Sequence, residues 1–160
     1  STEYYSTLVV HDGYSYTHPI TFAKMNVVFA EAADPTHQGL PRAKMSVASS
    51  TSPSVTVESG LTAAIGTLVN VAGTMKKRGG GVLSAALDSA TASAGTIRVE
   101  EGTFQLTETV GGEPATVESV FVAAGAKLVL PPEGLKVGTL VAEDGAEIAD
   151  GEHYELVYAK

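Results

Sequence analysis

The feature that most limits the folds open to this chain is a short recurring pattern: two small-residue turns, seven residues apart, with alternating apolar residues between them. Gly66-Thr67-Leu68-Val69-Asn70-Val71-Ala72-Gly73-Thr74 reappears as Gly95-Thr96-Ile97-Arg98-Val99-Glu100-Glu101-Gly102-Thr103, and again as Gly138-Thr139-Leu140-Val141-Ala142-Glu143-Asp144-Gly145-Ala146. A fourth copy, Glu118-Ser119-Val120-Phe121-Val122-Ala123-Ala124-Gly125-Ala126, replaces the first Gly with Glu and keeps the second. The starts at 66, 95, 118 and 138 are 29, 23 and 20 residues apart. Such spacing fits one coil of a solenoid, whose single repeat cannot bury its apolar face alone and buries it by stacking on its neighbours.

Within each unit a short strand leads to a Gly, which permits the bend of a coil corner, and then to a second short strand. The second strands read Thr103-Phe104-Gln105-Leu106, Lys127-Leu128-Val129-Leu130 and Ala146-Glu147-Ile148. Alternation in a strand sends successive side chains to opposite faces, so Ile97, Val99, Phe104 and Leu106 are expected inside and their polar neighbours outside. Composition agrees with thin, regular layers: 44% of residues are hydrophobic, mostly Val, Ala and Leu, while only 6% are aromatic and Trp is absent. Abundant Thr and Val in short alternating runs suit pleated strands better than helices. The fold class expected is all-β, a parallel β-helix or β-solenoid.

The segment Gly73-Thr74-Met75-Lys76-Lys77-Arg78-Gly79-Gly80-Gly81-Val82-Leu83, the small-residue loop Asp88 to Ala94, and the run from Gly95 to Leu106 together resemble a known family. They are similar to the passenger-associated transport repeat of bacterial autotransporters, also called the autotransporter-associated β-strand repeat. Its pattern is Leu-Lys-x-Gly-x-Gly-x-Leu, a loop, then Gly-x-hydrophobic-x-Val-x-x-Gly-Thr-Leu. The resemblance covers residues 66 to 106 strictly and extends loosely to 149. Met75 stands for the usual Leu, and Lys77-Arg78 depart from the small residues common in that turn. The resemblance implies a right-handed parallel β-helix, secretion, and an extracellular or cell-surface location.

Residues 1 to 59 are less regular. Strands are expected at Tyr5 to Val10, Thr21 to Glu31, Ala43 to Ser49 and Ser54 to Glu58, separated by turns at His11-Asp12-Gly13, Asp34 to Pro41 and Ser49 to Ser54. They are either wider early rungs or an antiparallel cap over the end of the stack. Residues 60 to 160 form the repeat-built solenoid, and the whole is expected to be one continuous domain. Glu152 to Tyr158 reads as a last strand. No basic, apolar leader opens the chain at Ser1-Thr2-Glu3, and the end at Lys160 suggests a piece of a longer protein.

Ten basic against eighteen acidic side chains give a net charge of −8, which repels a polyanion, so nucleic acid is not an expected partner. Cysteine is absent, which excludes disulfides, thiolate metal sites and thiol nucleophiles. No apolar run reaches the roughly 18 residues of a membrane-spanning helix, so the chain is not expected to span a membrane. His11, His18, His37 and His153 lack the spacing of a metal site, and no metal or cofactor is expected. Glu100-Glu101, Glu143-Asp144 and Asp150-Gly151-Glu152 fall at turns, where solvated charge blocks sheet-to-sheet aggregation. Lys76-Lys77-Arg78-Gly79-Gly80-Gly81 lacks the order of a phosphate-binding loop and reads as a solvated turn. No catalytic residue is assigned. The candidate ligand-binding residues are Tyr4, Tyr5, Tyr14 and Tyr16 with His11 and His18, since tyrosines stack on sugar rings and donate hydrogen bonds at their tips.

The expected function is therefore a non-catalytic structural or adhesive solenoid segment. Its partners would be glycans or host and cell-surface components. A carbohydrate-binding module using the tyrosines is the first alternative. A filament subunit that self-associates end to end, or a fragment of a polysaccharide-degrading β-helix, is the second.

Overall fold

A computed structural model describes residues 6–10, 20–23, 25–30, 38–88, 95–149 and 157–158. The described residues are all-β, with no helix, and form a parallel β-solenoid of two sheets. The strands are β1 (Ser6–Val10), β2 (Ile20–Ala23), β3 (Met25–Phe29), β4 (Gln38–Ser46), β5 (Ser54–Val57), β6 (Thr62–Val69), β7 (Thr74–Arg78) and β8 (Val82–Asp88). They continue as β9 (Thr96–Val99), β10 (Thr103–Val110), β11 (Ala115–Val122), β12 (Lys127–Val129), β13 (Leu135–Ala142), β14 (Glu147–Ala149) and β15 (Val157–Tyr158). Odd-numbered strands make an eight-stranded sheet in the order β1-β3-β5-β7-β9-β11-β13-β15, and even-numbered strands make a seven-stranded one. Every neighbouring pair is parallel, so the chain passes from one sheet to the other at each turn.

Parallel sheets repeat their contacts, and the copies beginning at 95, 118 and 138 do stack: Thr96, Ser119 and Thr139 lie side by side in β9, β11 and β13. The copy beginning at Gly66 does not join them. Thr67 and Leu68 belong to β6 of the seven-stranded sheet and pair with Ala86 and Leu87. The partner of Thr96 in the preceding coil is Thr74. Both sheets demand the same small-residue turn followed by alternation, so the motif occurs on both, and sequence similarity alone places this copy seven residues out of phase.

The N-terminal strands follow the same parallel order. The single strand expected over Thr21 to Glu31 is two, β2 and β3, on opposite sheets. β4 begins before the expected Ala43 and contains Pro41, and its register with β6 shifts between Leu40 and Lys44. A proline has no N–H to give the ladder, so pairing lapses there. Of the last expected strand, only β15 lies within the described residues, where Val157 pairs with Lys136.

Ile97, Val99, Phe104 and Leu106 are buried as alternation requires. Inward side chains align in columns across coils: Met75, Ile97 and Val120 in one sheet, and Ala63, Leu83, Phe104 and Leu128 in the other. Each large apolar side chain so buried contributes about 1.5–3 kcal/mol relative to exposure. The corners are held by backbone contact between coils. Gly102 adopts φ 66°, and a Cβ there would collide with the carbonyl oxygens of Gly79 and Gly81 in the preceding corner. Only glycine meets both conditions.

Candidate functional site

Tyr4, Tyr5, Tyr14, Tyr16, His11 and His18, the residues singled out for ligand binding, all lie outside the described residues, as do His37 and His153. Among the acidic pairs, Asp150 and Glu152 lie outside as well. Glu143 and Asp144 are exposed at the turn after β13, where the Glu143 carboxylate accepts a hydrogen bond from the Ala124 amide of the adjoining coil. Among the described residues, no three His, Asp or Glu side chains come together as a metal site. A shallow groove at the bend shared by β6, β8 and β10 is lined by Ala64, Gly66, Ser84, Ala86 and Thr107, with no ionisable group.

The segment Lys76 to Gly81 differs most from expectation. It is not a uniformly solvated turn, because alternation along β7 sends Met75 and Lys77 inward and Lys76 and Arg78 outward. Lys77 is 0% exposed. It occupies the inward column of Val27, Val55, Val99 and Val122. Its ammonium reaches the corner and donates to the carbonyl oxygens of Arg78 at 3.0 Å, Gly79 at 2.6 Å and Glu101 at 2.9 Å. Three N–H donors meet three acceptors, and two come from one corner while the third belongs to the next coil. Burial lowers the Lys77 pKa from 10.5 to about 8, with the nearby Glu101 charge acting in the opposite direction. The signal that locates this lysine in the sequence is the correct phase: aligned on Gly73-Thr74, Lys77 falls on Val99.

Outside the same strands lies a polar array. Thr74, Thr96 and Ser119 form one row across β7, β9 and β11, and Lys76, Arg98 and Phe121 form the next. The hydroxyls of Thr96 and Ser119 are 2.7 Å apart. Beyond them Glu100 accepts from Arg78 Nε at 2.9 Å through Oε2 and from Arg98 Nε at 3.2 Å through Oε1. Burial pushes the Glu100 carboxyl up, but the hydrogen bonds and charges of Arg78 and Arg98 outweigh it and hold the group below its ordinary range. The Arg98 guanidinium lies over the Phe121 ring, 3.9 Å from its centroid. Apart from Arg98 with Glu100, these contacts join residues about one coil apart in sequence, which is why no local motif announces them.

No protein-family model, curated protein or solved structure matches the chain.

Proposed function

We propose that the chain is a non-catalytic, structural or adhesive segment of a secreted bacterial passenger-type protein, one continuous domain displayed outside the cell or on its surface. The observation that carries this reading is that Lys77 and Glu100 tie one coil to the next. Lys77 serves two corners, and Glu100 ties Arg78 to Arg98 across coils. The repeat resemblance supports export, and the general preference of parallel crossovers supports a right-handed course. Such a rod offers a long rigid surface rather than a cleft.

The test places the chain between a secretory leader and an autotransporter translocation domain, then measures surface exposure by antibody and folding by protease resistance. The expected result is a resistant product at the cell surface, and retention inside the cell of a variant carrying Leu128→Asp in the buried column. Retention of the unaltered chain, or release of reducing ends from polysaccharides by the purified protein, overturns the reading.

A further inference from the structure

The outward array on β7, β9 and β11 has chemistry that stacking alone does not need. Arg98 is held twice, at Nε by Glu100 and beneath its plane by Phe121, yet its side chain remains 43% exposed. The outer guanidinium nitrogens have no partner among the described residues. A guanidinium fixed in this way presents a flat pair of donors, the geometry that a carboxylate accepts in a bidentate manner, and little side-chain freedom remains to be lost on binding. Lys76 stands on the neighbouring strand, about 4.8 Å away in the ladder direction, and has no acidic partner among the described residues. Lys76, Arg78, Arg98 and Glu100 together carry a net charge of +2 in a chain whose overall charge is −8. The flanking Thr74, Thr96 and Ser119 hydroxyls can each donate and accept, as the hydroxyls of a sugar require.

We propose that this array is a binding site for an acidic glycan, with Arg98 and Lys76 receiving the carboxylate of one sugar and the Thr96–Ser119 row receiving its hydroxyls. A long polyanion is disfavoured. Glu118 within β11, beside Ser119, and Glu143 and Asp144 after β13 are exposed, so only one or two anionic groups find favourable contacts. The site uses none of the N-terminal tyrosines, and it stands or falls independently of whether the segment is exported.

The experiment titrates the full chain with trigalacturonate, a hyaluronan tetrasaccharide and sialyllactose, following backbone amide shifts, with lactose and a thymidine oligonucleotide as controls. At least one acidic glycan is expected to saturate with a Kd of about 0.1–1 mM and to shift the amides of β7, β9 and β11, while lactose does not. Arg98→Met and Arg98→Lys are expected to weaken binding about tenfold or more while the chain still unfolds cooperatively, since lysine keeps the charge but loses the paired donors. Changing Tyr4, Tyr5, Tyr14 and Tyr16 to Phe leaves the affinity unchanged. No saturation with any of the three acids overturns the proposal, as does binding that Arg98→Lys leaves intact. Tighter binding of the oligonucleotide overturns it in favour of a nucleic-acid surface.

Discussion

Two inward columns, one on each sheet of the solenoid, differ in that only one of them holds a charged residue. The column of Ala63, Leu83, Phe104 and Leu128 is apolar throughout, whereas that of Val27, Val55, Lys77, Val99 and Val122 holds a lysine among valines. Both obey the same alternation, so the period of two decides only that a side chain points inward. What a column tolerates depends on where it sits. A side chain beside a corner can carry its tip to the turn carbonyls. Lys77 runs its methylene stem along the valines and delivers its charge to Arg78, Gly79 and Glu101, an inward version of snorkelling.

The sharpest way to break this contrast is to empty the apolar column. Phe104→Ala is expected to cost about 3–5 kcal/mol in urea unfolding, because the parallel stack cannot collapse onto the void. A loss under about 1 kcal/mol would mean that the column is not closely packed. Next in size is Lys77→Met, which keeps the stem and removes the donors. Removing a donor shared by three part-buried carbonyls costs about 1–3 kcal/mol, and an unchanged unfolding midpoint would show that the ammonium does not bridge the coils.

The same lysine sharpens the comparison through pH. Its pKa is about 8 when folded against 10.5 ordinarily, so between those values the unfolded chain holds more protons than the folded one. Stability then rises with pH across that window, and below about pH 8 the contribution is level because both states are charged. The unaltered chain should gain on the order of 1 kcal/mol over Lys77→Met between pH 8 and 10, less than the full shift implies because the corner is partly screened. A difference that stays constant or reverses would refute the assignment. The smallest effect belongs to the outer face: Glu100→Gln removes both arginine pairs at a cost of about 0.5–1 kcal/mol, and raised salt reduces it further.

Much of this was legible in the residues. The copies at Gly95, Glu118 and Gly138 predicted the in-register stack, and alternation placed Ile97, Val99, Phe104 and Leu106 inside. The Gly66 copy misled because turn chemistry is shared by both sheets, and that phase error also hid Lys77, which read as turn charge until Thr74 was found beside Thr96. The array escaped for another reason. Glu100 meets Arg78, and Arg98 meets Phe121, only after the chain has gone once around, and which residues then adjoin depends on the length of every intervening turn. The tyrosine cluster lies outside the described residues.

Strict alternation between sheets also makes the molecule a ruler. Each circuit of the chain advances the axis by one strand spacing, about 4.8 Å, so reach is counted in whole steps. Thr96 and Ser119 are ladder neighbours, and excising residues 96–118 would join Gly95 to Ser119, shorten the rod by one step and keep each remaining side chain on its own face. Losing one residue inside a strand would instead turn the rest of that strand inside out. Reach can thus change in whole steps without rebuilding the interior, whereas the spacing of groups along the face cannot be tuned more finely than the step.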